Sequence, residues 1–369
     1  MDAIQRLVPL EGLVAAEGPF LSVRLATEPA VANAGPRSHL RWRRLREDLL
    51  RDGVPDELVG LVDAPVEDAH RWGDVLHVVV TSAGELFVEH ADADEADVAL
   101  ARYEWLPWLL PVLAVRQATL PHLVVLTDRR GADITAVRRG GAELLETFTA
   151  SEEPAQRTAQ DGFGAWAEHK LQHWAENTWE HNAGEVATEV ERLARLVGAR
   201  LILVAGDVRA VQFLRDDLPG DLASLVRVAG GERTNADGSG GLTGGAAPFV
   251  REAVEAETRA LLARFAEEIG QGDRAVQGAE EVLGALSAGQ VETLLIADLP
   301  GDERQAWFGA SPSQVAATEA SAELLGFRGR PGRLREVAAR AAVGTGATVR
   351  VLPSGAGSAD DLGALLRWR

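Results

Sequence analysis

His169 and His173 stand four residues apart, and His181 follows with Asn182 beside it. On a helix the four-residue spacing puts both imidazoles on one side, which is the geometry of a metal pair. Lys170, Leu171 and Gln172 lie between them, so the His-Glu-x-x-His pattern is absent, and a chain with no cysteine has no thiolate to complete a site. A solvated helix face is the stronger reading, and no metal or cofactor is expected. His181 and Asn182 read equally as an ordinary surface pair or as an RNA contact. The carboxylate pairs Glu152-Glu153 and Asp216-Asp217 are adjacent in sequence, which does not by itself give an acid and a base of separated pKa. Ser82, Ser151 and Ser224 lack the Gly-x-Ser-x-Gly elbow, and no Gly-x-x-x-x-Gly-Lys phosphate loop occurs. These residue types suit contact better than catalysis.

The histidines sit in a loop, helix and strand unit running from Asp161 to Asp207. Gly162 and Gly164 flank Phe163 where the helix begins, and glycines there permit a sharp turn. Trp166, Leu171, Trp174, Thr178, Val186, Val190, Leu193 and Val197 recur at helical intervals, with Gly198 as the stop signal. Leu201, Ile202, Leu203 and Val204 then form an apolar run that reads as a strand buried on both faces. Trp166, Trp174 and Trp105 fall on apparent core faces and are expected to be buried. Phe163, at a loop tip between glycines, is expected to be exposed and to reach toward RNA.

The formal charge of −19 argues against a surface that embraces nucleic acid as a whole, so any phosphate contact must be local. Of 37 basic residues only Lys170 is lysine, which leaves arginine to make such contacts and to stack on bases. The densest basic segment is Arg37-Ser38-His39-Leu40-Arg41-Trp42-Arg43-Arg44-Leu45-Arg46. On a helix Trp42, Leu45 and Leu49 make an inward stripe, while Arg37, Arg41, Arg44 and Arg51 project outward as a ridge for RNA phosphates. The competing reading is a solvated face with pairs to Glu47 and Asp48. A second basic group, Arg328, Arg330, Arg333, Arg335 and Arg340, on a loop and helix start, is a candidate surface for RNA or a protein partner. No segment approaches the apolar length of about 18 residues that crosses a bilayer, and the first residues lack a signal-peptide core, so a cytoplasmic location is expected.

At 369 residues the chain should form two or three domains, on a prior of about 150 residues each. The pattern of elements divides it into three α/β domains at 1–117, 118–247 and 248–369. In the first, Phe20–Leu25 reads as a strand, Arg37–Arg51 and Asp56–Trp72 as helices, and Val75–Val80 with Glu85–His90 as a hairpin. The second opens on the hairpin His122–Thr127 and Asp133–Arg138, and it closes in a glycine-rich stretch, 229–247, that reads as a loop. The third carries helices at Phe249–Ile269, Gly278–Ser287, Ser313–Leu325 and Arg333–Val343, with strands at Val291–Ile296 and Thr348–Val351 in a mixed sheet.

Three segments carry a resemblance: LVVLTDRRGADITAV, the run from Gly162 to Asp207 ending in Ala-Gly-Asp, and VETLLIAD with the Gly-Ala-Leu-Leu-Arg run near the end. Their order and spacing resemble the bacterial branch of the eukaryotic and archaeal release factor and Pelota superfamily, whose actinobacterial members include Balon-like ribosome hibernation factors. The resemblance implies release-factor-like central and C-terminal domains and a ribosome partner at the A site, with elongation factor Tu as a further partner and neither membrane nor DNA. True release factors of that superfamily carry Gly-Gly-Gln in the loop before the long helix. This chain has none, and Gly162-Phe163-Gly164 stands there with Gln160 two residues upstream. Phenylalanine has no amide to orient water, so the expectation is a non-catalytic factor that contacts the ribosome through Gln160, Gly162, Phe163, Gly164, His169, Lys170, His173, His181 and Asn182. Two alternatives remain: a peptidyl-tRNA or RNA hydrolase with a non-standard loop, and a protein-binding scaffold that keeps the fold.

Overall fold

The structure, a computed structural model, describes residues 7–27, 35–69, 75–91, 98–128, 131–138, 143–149, 184–232, 241–297, 299, 301–353 and 361–368. It is of mixed α/β type. The residues form two compact units, one drawn from 1–117 together with 258–369, the other from 118–257.

In the first unit, α1 (Leu10–Ala15) precedes β1 (Phe20–Ala26), followed by α2 (Gly35–Arg51), α3 (Asp56–Gly60), α4 (Asp63–Asp68), β2 (Val75–Val80), β3 (Leu86–Ala91), β4 (Ala99–Glu104) and α5 (Leu110–Ala118). The strands make an antiparallel sheet in the order β3-β2-β1-β4. Alternation along β1 and β2 sends Leu21, Val23, Leu25, Leu76, Val78 and Val80 to one face, where Trp42 and Leu49 of α2 and Val59 of α3 cover them. The expected stripe of α2 is therefore the buried one. The single helix expected over Asp56–Trp72 is instead two. Pro65 lacks an N–H and its ring meets the carbonyl four residues back, so the chain breaks at Leu61 and Val62 and restarts with Pro65 in a first turn.

The second unit holds β5 (His122–Asp128), β6 (Gly131–Val137), β7 (Glu143–Thr149), a helix over 184–197 called α6, β8 (Leu201–Gly206), α7 (Val208–Asp217), α8 (Gly220–Ala223), β9 (Val226–Val228) and the two-residue strands β10 (Gly231–Glu232) and β11 (Gly241–Leu242). Its sheet order is β7-β6-β5-β8-β9, with β5, β8 and β9 parallel. Ile202 and Val204 pack under Val186, Val190 and Leu193 of α6, while Leu201 and Leu203 face Val250 of α9 (Ala247–Gln271) on the other side. All four are buried, as the apolar run requires. Gly206 has φ of +130°, and a Cβ there would collide with the Thr127 carbonyl oxygen. Asp207 then caps α7, accepting from the backbone N–H groups of Arg209 at 3.0 Å and Ala210 at 3.2 Å. The Ala-Gly-Asp run is thereby explained by folding.

Residues 258–369 return to the first unit. They contribute the end of α9, then β12 (Ala275–Gln277), α10 (Ala279–Ser287), β13 (Val291–Ala297), β14 (Gln305–Phe308), β15 (Val315–Ala316), α11 (Glu319–Leu324), β16 (Arg330–Arg333), α12 (Leu334–Gly344), β17 (Thr348–Leu352) and β18 (Leu362–Leu366). One sheet runs β12-β18-β13-β17 and is mixed, with β13 and β17 parallel; a smaller one runs β15-β14-β16. The helix expected over Ser313–Leu325 is shorter, because Val315 and Ala316 pair with Phe308 and Trp307 and the Thr318 hydroxyl caps α11 at Ser321 N–H. Gly363 lets Phe265 lie against β18, since a Cβ would come within 2.6 Å of its ring.

These residues share a core with the chain's first third. Phe20, Val79, Phe87 and Leu109 pack with Val282, Leu286, Leu294, Val337 and Leu366 in one cluster. Polar contacts cross the same boundary. Glu336 accepts from the Leu109 N–H at 2.8 Å, Gln117 exchanges two hydrogen bonds with the Val351 backbone, and Arg340 donates to the Val14 carbonyl.

Gly206→Ala is expected to destabilise the second unit by about 2–3 kcal/mol, the scale of strain in forbidden backbone conformations. Urea unfolding followed by circular dichroism checks it; an unchanged midpoint would show that the β5–β8 approach tolerates a side chain.

Candidate functional site

Gln160, Gly162, Phe163, Gly164, His169, Lys170, His173, His181 and Asn182 lie outside the described residues, as do Trp166 and Trp174. What the structure does present are the two arginine groups.

The α2 ridge is split by function. Trp42 donates its indole N–H to Asp63 at 2.7 Å, and Arg46 pairs with Asp56 at 2.9 Å, which fixes the helix on α3 and α4. Arg51 pairs with Asp48 at 2.6 Å, so the solvated-face reading holds at that end. Arg41 is half-buried and donates to the Ala26 carbonyl at 3.4 Å, which corrects its placement on the outward ridge. The Arg37 side chain lies outside the described residues. Arg43 and Arg44 are exposed and make no ion pair or hydrogen bond among the described residues. They are the part of the ridge open to an incoming phosphate.

The second arginine group is also divided. Arg335 is buried and donates to Asp302 at 2.6 Å, while Arg340 is buried and donates to the carbonyls of Val14, Gly309 and Ala310. Both hold the fold together, so neither belongs to a surface. Burial alone would raise the Asp302 carboxyl, but hydrogen bonds from Arg304 and Arg335 outweigh it and hold the group well below the usual carboxylate range. Arg333 pairs with Glu104 at 3.0 Å. Arg330 lies over the Trp105 ring with its guanidinium carbon 3.8 Å from the centroid, and exposed Arg328 precedes it by two residues. Trp105 is 48% exposed, against the expectation of burial, because it follows the end of edge strand β4 and has a guanidinium rather than an apolar face above it. Sequence reading missed Trp105 and Tyr103 as surface groups; no position of β4 from Ala99 to Glu104 is buried, which only its place at the sheet edge reveals.

Behind this surface Glu336 is fully buried, and burial pushes its carboxyl up to about 7. The Leu109 and Leu110 N–H groups and the charge of Arg102 oppose that shift, and Glu104 adds to it. Among the described residues no group of three or more His, Asp or Glu is placed to hold a metal ion, and no helix is long and apolar enough to cross a membrane.

Residues 121–271 match the model of the bacterial archaeo-eukaryotic release factor family 2. That match bears out the release-factor resemblance for β5 through α9. Uncharacterized proteins from two strains of Mycobacterium tuberculosis are each 27% identical over 370 residues, covering 97% of this chain and 96% of the relative. Among solved structures, Pelota from Archaeoglobus fulgidus is similar at 16% identity and a TM-score of 0.35, covering 99% of this chain and 94% of that one. A ribosome-bound archaeal Pelota described with ABCE1 is similar at 15% identity and a TM-score of 0.42, over 99% of this chain and 95% of that one.

Glu336 gives a pH signature with a definite sign. Its carboxyl keeps a proton up to about pH 7 when folded and only to about pH 4.5 when unfolded, so its contribution to stability is fully present below the lower value and lost as pH rises through the upper one. Glu336→Gln, which cannot ionise, should remove that component. The difference in unfolding free energy between variant and wild type is expected to shift in favour of the variant between about pH 5 and pH 8. A pH-independent difference would show that the carboxylate is solvated in the folded state.

Proposed function

We propose that this protein is a ribosome-associated translation factor that occupies the A site without hydrolysing peptidyl-tRNA. The observation that carries the reading is the family match over residues 121–271, joined to the lack of Gly-Gly-Gln anywhere in the chain. A protein with release-factor architecture and no amide at the loop tip retains contact and loses the group that would position water. In this reading Gly162-Phe163-Gly164 is a contact element, and Gln160, His169, Lys170, His173, His181 and Asn182 are further contacts to the ribosome. Arg43 and Arg44 supply an outward phosphate contact. The role is that of a hibernation or stalled-ribosome factor in the cytoplasm, with elongation factor Tu as its companion on the ribosome.

Cosedimentation with purified ribosomes over a salt series tests the reading, because phosphate contacts weaken predictably as counterions compete. The wild-type protein is expected to pellet at low salt. Failure to do so with active ribosomes would remove the ribosome as partner. Replacing Arg43 and Arg44 by Glu should weaken binding about tenfold or more at low salt; unchanged affinity would take α2 out of the interface. On ribosomes loaded with labelled peptidyl-tRNA no release above background is expected. A release rate that falls when Gln160 or the Gly162 to Gly164 loop is altered would instead establish a hydrolase.

A further inference from the structure

Within the first unit, β4 and β16 bring together side chains that neither the ribosome reading nor the fold requires at the surface. Trp105 is 48% exposed and Tyr103 36% exposed, so two large aromatics stand in solvent within three residues of each other. The Arg330 guanidinium lies 3.8 Å from the Trp105 centroid, and the Arg102 guanidinium lies 3.8 Å from that of Trp108. Arg330 itself is exposed, and exposed Arg328 makes no ion pair or hydrogen bond among the described residues. Gly332 allows this closeness: a Cβ there would lie 2.9 Å from Leu106, the neighbour of Trp105. The Arg333–Glu104 pair fixes the two strands beside the stack.

An arginine laid on an indole has spent its ordering entropy before a ligand arrives, and its second face is a flat cation. The natural ligand for such a face is another flat π-system carrying negative charge nearby. Unpaired nucleobases meet that description, with the phosphate that follows each base within reach of Arg328. A duplex does not, because its bases are already stacked on each other. The overall charge of −19 repels a polyanion at long range, so binding here must rest on stacking and a few arginines.

We propose that the Trp105–Arg330 stack, flanked by Tyr103 and Arg328, is a binding face for unpaired bases of a single-stranded nucleic acid. The inference goes beyond the A-site reading and does not depend on it, since it stands on a different part of the chain.

The test uses the full chain and end-labelled strands of about eight nucleotides, as RNA, as the same sequence in DNA, and as duplex RNA, with fluorescence anisotropy at ~50 mM salt. The single strands should bind and the duplex at least about fivefold more weakly. Tighter binding of RNA than of DNA would assign the natural strand to RNA. Trp105→Ala removes the platform that orders the Arg330 plane and should weaken single-strand binding about fivefold or more, the lower end of the range for one stacked base. Arg330→Lys keeps the charge but not the plane, so it should retain the melting temperature and still lose several-fold in affinity. Arg328→Ala should lower the salt dependence by about one phosphate contact. The proposal falls if no single strand binds, if the duplex binds as well, or if Trp105→Ala and Arg330→Lys both bind as wild type. It also falls if an acidic peptide binds in a Trp105-dependent way where the strands do not. Ribosome pelleting of the Trp105→Ala protein separates the two readings: lost strand binding with intact pelleting supports the face and leaves the A-site reading standing.

Discussion

The first unit depends on one constraint: the apolar face of an N-terminal sheet is covered by residues more than a hundred positions away in sequence. Phe20, Val79 and Phe87 share their cluster with Leu10, Leu13 and Val14 of α1 and with Leu110 and Val112 of α5, and α10, α12 and the sheet of β13 and β18 complete it. Burying that much aliphatic surface is favourable at roughly 25 cal/mol per Å², but it also buries the polar ends of whatever elements meet there. The backbone N–H at the start of α5 is such an end. Glu336 meets it from α12, and the location of that carboxyl in the core rather than at the surface is what keeps its proton on. Gln117 does the same service for the Val351 peptide without any charge.

Arginine fills two different roles, separated by burial. Arg335 and Arg340 are interior struts, satisfied in part by a carboxylate and by carbonyl oxygens. Arg46 and Arg51 lock surface helices at modest gain, as solvent-exposed pairs do. Arg43 and Arg44 on one helix and Arg328 near another sheet are exposed and make no ion pair or hydrogen bond among the described residues; the same holds for Arg138, Arg215, Arg251 and Arg259, while Arg330 is stacked on Trp105. On a chain with an excess of acid the long-range field does nothing to help these cations, so any anion they hold must be held by short-range contact.

Much of the fold was readable because it depends on local periodicity. The stripe Trp42, Leu45 and Leu49 and the two-faced burial of Leu201 to Val204 follow from spacing alone. Where reading failed, long-range contact decided. Strand β4 is an edge with no buried position, and β14, β16 and β18 are short strands that only pairing partners reveal. Val315 and Ala316 fall in a run expected to be helical yet lie in a strand because Trp307 and Phe308 offer hydrogen bonds. The candidate surfaces were half readable for the same reason. Sequence shows that arginines cluster, but only packing shows that Arg340 faces inward, that Arg41 bonds a carbonyl, and that Trp105 is in solvent.

The discontinuity of the first unit has a consequence in time. A ribosome makes the chain from its first residue onward, and domains fold as their residues emerge. The central unit has all its strands once residue 257 is out, whereas Phe20, Val79 and Phe87 must wait for Leu366. During that interval the face of the sheet that carries Phe20, Val79 and Phe87 lacks the part of its cover that α10, α12 and β18 supply, so the piece of the chain made earliest is completed last.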